Sequence, residues 1–294
     1  MTQIRVAISG TGAMGTFILN AIEEATTSLQ IVGILNRNPG ETDPKEERRS
    51  TLPTYSTASG YVFHVAKTTK RIIPVSDSFD ALSEWKPDVV VDFSHSEWTK
   101  QLLPECVERK ISFVVGTTGL SHEFIDDIKQ QVERKQLHLG ARVASDGSVI
   151  GGEAGIGGFI VPNFSLGAVA LQSIARRLAG AFDNVAIIEQ HRTHKADAPS
   201  GTALRIAQTI RNACGYDVDD TSHEDPHAIS IHSVRMPDSP ACHTIIFGGT
   251  GESLTVKHES LNKDSFMPGI LQCIWRAQYA YGVETDIEDL LFSG

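Results

Sequence analysis

The stretch Gly10-Thr11-Gly12-Ala13-Met14-Gly15 decides how the first half of this sequence folds. It follows directly on a short apolar run at residues 4–8 and directly precedes a segment at residues 16–24 whose apolar side chains have helical spacing. An apolar run, a cluster of glycines and a helical pattern in this order predict a strand, a tight turn and a helix. This arrangement is the first half of a βαβ unit.

The glycine spacing also indicates what the turn binds. In a G-x-G-x-x-G turn the first glycine makes the turn tight, the second lets the backbone approach a pyrophosphate, and the third lets the helix pack closely on the strand. The N-terminus of the helix then faces the phosphates with its partial positive charge. The alternative is a glycine turn that binds no dinucleotide. We expect a dinucleotide site formed by Gly10, Thr11, Gly12, Ala13, Met14 and Gly15.

The end of the predicted second strand indicates which dinucleotide is preferred. After its apolar residues the chain continues Asn36-Arg37, and the acidic residue that commonly binds a ribose 2′-hydroxyl is absent. Arg37 can form a charge-assisted pair with a 2′-phosphate, which an acidic side chain would repel. We expect Asn36 and Arg37 to contact the cofactor, and NADPH to be preferred over NADH. Arg48 and Arg49, in a predicted polar loop at residues 38–59, either add to this pocket or are solvated charges.

Alternating strand and helix patterns continue after this loop, at residues 89–93, 96–110, 111–115 and 123–135. Such alternation predicts a parallel sheet with helices on both faces. After residue 163 the pattern changes to runs at residues 229–234, 243–247 and 254–258 that predict antiparallel strands. The fold class is therefore predicted to be α/β, with a dinucleotide-binding domain followed by a smaller α+β domain.

The length of 294 residues exceeds what one hydrophobic core usually holds, so two domains are expected. We place the dinucleotide-binding domain at residues 1–163, and we expect the C-terminal helical segment at residues 264–294 to complete it. The second domain is expected at residues 164–263. A glycine-rich stretch at residues 140–158 is predicted to be a loop or a hairpin.

Composition and charge exclude several classes of protein. With 40% hydrophobic and 21% charged residues, the chain has the composition of an ordinary globular protein. Its formal net charge of −10 argues against a nucleic-acid partner, because such proteins carry a surplus of Lys and Arg. The four cysteines form no CxxC pair, so we expect no metal site. No leader and no membrane-length apolar run is recognisable, so we expect a cytoplasmic location without membrane association.

A dense polar cluster, Glu189-Gln190-His191-Arg192-Thr193-His194-Lys195-Ala196-Asp197-Ala198-Pro199-Ser200-Gly201-Thr202-Ala203, follows an apolar run at residues 185–188. This order predicts a strand, a polar loop and then a helix. Ser200, Gly201 and Thr202 stand at the start of the helix, where free backbone N–H groups can bind a substrate carboxylate.

Cationic side chains are concentrated in the same cluster. His191, Arg192, His194 and Lys195 lie within five residues, which is costly unless an anionic ligand binds there. His191 is the candidate general acid, because an imidazole can donate a proton near neutral pH. A purely structural role for these histidines is the alternative.

The same cluster resembles the signature loop of the dihydrodipicolinate reductase family, whose pattern is E-x-H-H-x-x-K-x-D-x-P-S-G-T-A. Further family motifs follow in the family's order, namely the glycine turn, Asp92-Phe93-Ser94, Gly116-Thr117-Thr118-Gly119, Pro162-Asn163-Phe164-Ser165, His243-Thr244 and Gly251-Glu252. The resemblance implies a Rossmann-like dinucleotide-binding domain and a substrate-binding and oligomerisation domain whose open mixed sheet assembles a homotetramer. It also implies NAD(P)H-dependent reduction of 4-hydroxy-tetrahydrodipicolinate to tetrahydrodipicolinate in lysine and diaminopimelate biosynthesis.

The resemblance assigns roles to individual residues. His191 would be the acid/base and Lys195 a second catalytic donor. The dicarboxylate substrate would be bound by Arg192, His194, Ser200, Gly201 and Thr202. The nicotinamide and hinge region would be lined by Phe93, Gly116, Thr117, Thr118, Asn163 and Phe164. The hydride would reach the ring at C4, and the 4-hydroxyl group would leave as water.

Three departures from the family pattern keep other hypotheses open. Arg192 stands where the family has a second histidine, and an arginine cannot shuttle protons at neutral pH. Lys263 stands where an arginine is usual, and Val169 where an asparagine is expected. The glycine-rich stretch at residues 140–158 is longer than the family's connection. The alternatives are a paralogous reductase of another cyclic imine or unsaturated carboxylate, and a catalytically silent nucleotide-binding protein.

Overall fold

The structure is a computed structural model that describes residues 3–25, 28–37, 52–56, 62–67, 69–139, 142–143, 149–150, 155–215 and 229–292. The chain forms two compact units. One comprises Met1–Pro162 and Ile270–Ile287, and the other Asn163–Gly269 and Glu288–Gly294. Arg48, Arg49 and most of the predicted polar loop lie outside the described residues, as does most of the glycine-rich stretch.

The elements of the first unit are β1 (Ile4–Ser9), α1 (Ala13–Ala25), β2 (Leu29–Leu35), β3 (Tyr55–Ser56), β4 (Val62–Val65), β5 (Ile72–Ser76), α2 (Ala81–Trp85), β6 (Val89–Asp92), α3 (Ser96–Glu108), β7 (Ser112–Val115), α4 (His122–His138), β8 (Arg142–Val143), β9 (Val149–Ile150), β10 (Gly157–Ile160) and β15 (Gly282–Glu284). Those of the second unit are α5 (Leu166–Leu178), β11 (Asn184–Arg192), α6 (Gly201–Cys214), β12 (Ser230–Met236), β13 (Ala241–Gly249), β14 (Glu252–Ser260), a 3₁₀ helix (Lys263–Phe266) and α8 (Asp289–Phe292). The boundary at Gly269 falls inside α7 (Met267–Ala277). None of the described helices combines the length and apolar character needed to cross a membrane.

The first unit is built on a nine-stranded sheet with the order β15-β10-β7-β6-β1-β2-β5-β4-β3. All its strand pairs are parallel except β3 with β4 and β4 with β5. β6 and β7 are buried along their whole length, as expected of strands covered by helices on both faces. The predicted parallel α/β sheet is confirmed, and the short antiparallel strands at its edge were not predicted.

The strand order of this sheet reverses at β1, whose two neighbours are β2 and β6. In open parallel sheets such a reversal leaves a crevice at the carboxyl ends of the strands, where ligands bind. The glycine turn follows the carboxyl end of β1. The fold therefore places the predicted dinucleotide motif at the position where a ligand crevice is expected.

The second unit contains a four-stranded mixed sheet with the order β12-β11-β13-β14. β13 pairs antiparallel with both β11 and β14, but β12 runs parallel to β11. The expectation of antiparallel strands was therefore wrong for β12. A parallel pair needs a crossover connection, and α6 stands in the chain between the two strands. The predicted strand at residues 185–188 also continues further, to Arg192.

The strand register of this sheet separates a core from a polar site. One row across the sheet consists of Ile231, Ile187, Ile245 and Val256, which pack in the hydrophobic core with α5 and α6. Two residues further along β11, on the same face, the row consists of Ser233, Glu189, His243 and His258. On this face of the sheet, the side chains thus change from apolar to polar and ionisable over two residues along the strand.

Candidate active site

The glycine turn of the first unit has a backbone that only glycine adopts easily. Gly10 has φ +93°, and its N–H donates to the carbonyl of Leu35 at 3.0 Å, which joins the turn to the end of β2. A Cβ atom added to Gly15 would lie 1.9 Å from the carbonyl oxygen of Gly10, so α1 packs against the turn without room for a side chain.

The rest of the turn leaves the start of α1 accessible to an anion. Ala13 is exposed and Met14 half-buried, whereas Thr11 is buried and its carbonyl accepts the hydroxyl of Thr16 at 3.1 Å. The first turn of α1 carries no acidic residue. The residues present therefore fit a dinucleotide whose pyrophosphate is bound by the helix N-terminus.

Asn36 and Arg37 lie directly beyond the end of β2. The N–H of Asn36 donates to the carbonyl of Ser76 at 2.9 Å, and the side chain of Arg37 is exposed. Because the preceding residue, Leu35, is hydrogen-bonded to Gly10, Asn36 and Arg37 lie beside the glycine turn. They occupy the position where a ribose would follow the pyrophosphate.

Phe93, Gly116 and Thr117 extend the same edge of the sheet beyond β6 and β7. The N–H of Phe93 donates to the carbonyl of Ser9 at 3.0 Å. The ring of Phe93 packs on Gly116, since a Cβ atom there would lie 2.2 Å from the ring. Thr117 is buried and Thr118 exposed. The cofactor-binding residues that were predicted in the first unit therefore lie together at the carboxyl edge of its sheet.

Asp92 is completely buried beneath this edge and accepts four hydrogen bonds from hydroxyl groups. The donors are Ser9 at 2.6 Å, Ser94 at 2.6 Å, Thr99 at 2.5 Å and Thr117 at 3.0 Å. The carboxylate thereby connects the last residue of β1 with the segments that follow β6 and β7. Asp92 belongs to one of the family motifs in the sequence, but no role was predicted for it.

In the second unit, Glu189 is the centre of the polar row described above. Its side chain is completely buried, and its oxygens accept the two Nη atoms of Arg235 at 2.8 and 3.0 Å. Oε2 also lies 2.5 Å from Nδ1 of His191, and Oε1 accepts the backbone N–H of Ser200 at 3.2 Å. Burial alone would raise the pKa of Glu189, but hydrogen bonds from Arg235, Ser233 and His191 lower it to about 2.

A second histidine, His243, lies beside His191, with the ring centroids 5.3 Å apart in an edge-to-face arrangement. Nε2 of His243 is 3.1 Å from the hydroxyl of Ser200. Burial and the charge of His191 lower the pKa of His243 to about 4. Burial also lowers the pKa of His258, whose Nε2 lies 3.3 Å from the hydroxyl of Ser165. His243 is therefore neutral near pH 7.

Lys195 and the start of α6 bind one carboxylate, that of Asp197. Nζ of Lys195 lies 2.7 Å from Oδ1 of Asp197, and the N–H of Gly201 donates to the same side chain. The hydrogen bond from Lys195 lowers the pKa of Asp197. Ser200 caps α6 by accepting the N–H of Ala203 at 3.2 Å.

The remaining residues of the signature loop are less constrained. Arg192 and His194 are exposed, and Thr202 is half-buried in the first turn of α6. Of the two hinge candidates, Phe164 is buried, and the side chain of Asn163 accepts the N–H of Ser165 at 2.9 Å.

Arg235 was not predicted from the sequence, and no role was predicted for Glu189 or His243. Glu189 and His191 are two apart on a strand, a spacing that places both side chains on one face and could have linked them. Arg235 carried no comparable signal, because only the pairing of β11 with β12 brings it to Glu189.

Comparison with known proteins supports one family along both units. The family model described as dihydrodipicolinate reductase, N-terminus, matches residues 4–145, and the model described as dihydrodipicolinate reductase, C-terminus, matches residues 166–291. A 4-hydroxy-tetrahydrodipicolinate reductase of Bacillus licheniformis is 31% identical over 97% of this chain and 98% of the relative. One of Mycolicibacterium smegmatis is 35% identical over 74% of this chain and 86% of the relative.

Solved structures agree with this relationship. The dipicolinate-bound dihydrodipicolinate reductase of Paenisporosarcina sp. TG-14 superposes with a TM-score of 0.74 at 26% identity, over 98% of this chain and 100% of that one. An amine dehydrogenase of Mycobacterium smegmatis, 13% identical with a TM-score of 0.56 over 97% and 95% of the two chains, shares the fold alone. The family indicated by the signature loop is confirmed. The chain belongs to the dihydrodipicolinate reductase family and is a nicotinamide-dinucleotide-dependent oxidoreductase.

Proposed function

We propose that this protein reduces 4-hydroxy-tetrahydrodipicolinate to tetrahydrodipicolinate, in lysine and diaminopimelate biosynthesis. The names of its relatives support this substrate, and so does a relative that binds dipicolinate, an aromatic dicarboxylate. The reaction consumes one hydride and one proton and releases water. A bound nicotinamide dinucleotide supplies the hydride, and the protein must bind the dicarboxylate and manage the proton.

The observation that carries the proposal is the binding of Asp197 by Lys195 and Gly201. These two donors already converge on one carboxylate within the second unit. A carboxylate of the substrate can displace the exposed side chain of Asp197 and accept the same ammonium and backbone N–H groups. Ser200, the N-cap of α6, and Thr202, in the first turn, flank this position. Arg192 and His194 supply further exposed donors for the second carboxylate.

His191 is the proposed acid/base, and Lys195 the second catalytic donor. The ring of His191 lies 5.3 Å from that of His243, and the charge of Lys195 contributes to the lowered pKa of His243. Lys195 binds and polarises the substrate, and His191 transfers the proton. Arg192 remains charged at neutral pH and therefore acts by binding an anion rather than by proton transfer.

We propose that NADPH is preferred over NADH. The pyrophosphate would be bound by the turn from Gly10 to Gly15 and the 2′-phosphate by Arg37, with Asn36 beside it. Phe93, Gly116, Thr117, Thr118, Asn163 and Phe164 would line the nicotinamide and hinge region. The test compares kcat/KM for both cofactors in the wild type and in Arg37→Ala, with the exposed Arg134→Ala as control. A wild-type preference for NADH contradicts the proposal.

The experiment for the function follows NADPH absorbance with the product of dihydrodipicolinate synthase as substrate. We expect turnover by the wild type and a loss of about 10²–10⁴-fold in kcat for His191→Ala and Lys195→Ala. His122→Ala and Lys129→Ala, at an exposed and a half-buried position of α4, are the matched controls and should retain full activity. Absence of NADPH oxidation by the wild type, with cofactor binding intact, would instead favour a paralogous reductase acting on another cyclic imine.

Assembly and location complete the proposal. We propose that the chain forms a cytoplasmic homotetramer, with a dinucleotide-binding domain at residues 1–163 and 264–294 and a substrate-binding and oligomerisation domain at residues 164–263. Light scattering coupled to size-exclusion chromatography tests the tetramer, and a monomeric mass contradicts it.

A further inference from the structure

The carboxylate of Glu189 fixes which ring nitrogen of His191 carries a hydrogen. An ionised carboxylate only accepts hydrogen bonds, and Glu189 stays ionised because its pKa lies far below neutral. Its Oε2 atom lies 2.5 Å from Nδ1 of His191. Nδ1 must therefore be the protonated nitrogen, which leaves Nε2 to accept and donate the proton that the reaction consumes.

We infer that Glu189 is a positioning residue for the reaction, which holds His191 in the Nδ1–H tautomer and directs Nε2 to the substrate. The inference rests on the proposed role of His191 as acid/base. It adds a residue that never touches substrate and acts through the imidazole, in the way that a buried carboxylate orients a catalytic histidine in hydrolytic triads.

Arg235 makes this arrangement stable. A buried carboxylate without a cation would be protonated or would unfold the site, and the bidentate guanidinium of Arg235 compensates its charge. Nη2 of Arg235 also donates to the backbone carbonyl of Asp197 at 2.6 Å. The pair therefore connects His191 on β11 with the loop that carries Lys195.

Neighbouring groups leave His191 as the ring that exchanges protons. His243 is the aromatic ring beside it, and its lowered pKa keeps it neutral. Its Nε2 is already bonded to the hydroxyl of Ser200. Nε2 of His243 is thus already engaged within the protein, whereas Nε2 of His191 has no hydrogen-bond partner in the part of the chain that the structure describes.

The direct test is the tautomer of His191 in the wild-type enzyme. Two-bond ¹H–¹⁵N correlation spectra of histidine-labelled protein, assigned with His191→Ala, distinguish a ring protonated at Nδ1 from one protonated at Nε2. We expect the Nδ1–H form in the neutral ring. A neutral ring protonated at Nε2 overturns the inference, and this measurement requires neither substrate nor a variant of Glu189.

The kinetic test is Glu189→Gln, whose amide can offer an N–H group to Nδ1 and so favour the wrong tautomer. We expect kcat to fall by about 10²–10⁴-fold while KM changes by less than about threefold. Glu259→Gln, at an exposed position on β14, is the matched control. Retention of kcat within about twofold in Glu189→Gln overturns the inference.

Arg235→Lys is the second variant, in case Glu189→Gln does not fold. It keeps a cation beside Glu189 but removes the bidentate hydrogen bonds. We expect a loss of kcat smaller than that of Glu189→Gln, with KM preserved. A loss confined to KM contradicts the positioning role. Failure of the wild type to oxidise NADPH would contradict the proposed function instead, and it would leave the tautomer measurement unaffected.

Discussion

The hydroxyl group of Ser200 lies 3.1 Å from Nε2 of His243 and 3.2 Å from the backbone nitrogen of Ala203. The hydroxyl oxygen accepts the N–H of Ala203, and the same group is hydrogen-bonded to Nε2 of His243. One hydroxyl group thus caps α6 and satisfies a buried imidazole. The helix that is proposed to bind the substrate is thereby connected to β13.

Ser200→Ala should lower the free energy of unfolding by about 2–4 kcal/mol. Loss of a helix cap costs about 1 kcal/mol, and leaving the buried Nε2 of His243 without a hydrogen-bond partner costs about 1–3 kcal/mol more. Ser121→Ala is the matched control, because Ser121 caps α4 through Phe124 at an exposed position and should cost the cap alone. Urea denaturation measures both. Equal losses in the two variants would show that the hydrogen bond between Ser200 and His243 contributes no stability.

Acid should destabilise the protein through His243. Its pKa is about 4 in the folded state, against 6.5 as its ordinary value, so between these values the unfolded chain binds a proton that the folded chain does not. Stability is therefore full above about pH 6.5 and falls as pH drops towards 4, by about 3 kcal/mol at most. Burial, His191, His258 and Lys195 disfavour the charged ring, and Glu189 favours it.

The measurement for this prediction is the free energy of unfolding at several pH values between 7 and 4. His243→Gln should give a shallower dependence, and part of the slope should persist because the pKa of His258 is also lowered. Glu189 contributes only at lower pH, since its stabilisation is lost as pH falls from 4.5 towards 2. Identical slopes for the wild type and His243→Gln would contradict the prediction.

Gly201→Ala should separate folding from substrate binding. A Cβ atom at Gly201 meets no atom within 4 Å, so the fold accepts the methyl group and gains about 0.4–1 kcal/mol from a less flexible unfolded chain. The methyl group would stand beside the N–H that is proposed to bind a substrate carboxylate. We expect KM for the dicarboxylate to rise about tenfold, or about 1.4 kcal/mol, while the melting temperature does not fall. An unchanged KM would remove Gly201 from the proposed carboxylate site.

Asp92→Asn should destabilise the first unit by about 2–3 kcal/mol. The amide would turn an N–H₂ group towards hydroxyls that now donate to the carboxylate, so hydrogen bonds to a charged acceptor are lost. Asp126→Asn is the control, because Asp126 is exposed and only 3.5 Å from Lys129. Thermal unfolding compares the two. A change as small as that of the control would show that the buried carboxylate contributes little.

Much of the fold could be predicted from the sequence because its signals are local. The glycine turn and the apolar β6 and β7 each have a pattern that is complete within a few residues, and the signature loop identified the family. The direction of β12 could not be predicted, since apolar alternation is the same in parallel and antiparallel strands. The edge strands β3 and β4 are too short for periodicity to reveal them.

In the candidate site, too, some residues could be predicted from a local pattern and others could not. His191 and Lys195 stand in one short polar cluster and were recognisable there. Arg235 lies 46 residues beyond Glu189, and Asp92 lies 83 residues beyond Ser9. Contacts of this kind depend on which strands pair and in which register, and a single sequence contains no local pattern for either.

The register of β11 and β12 places His191 opposite Arg235 and Glu189 opposite Ser233. A slip by one residue would carry Arg235 to the other face of the sheet, because side chains alternate along a strand. The charge of Glu189 would then be buried without its cation, at a cost of about 3–5 kcal/mol. Mispaired strands are thus disfavoured by electrostatics as well as by packing. The groups that are proposed to serve proton transfer therefore also help to select the correct register of the strands that carry them.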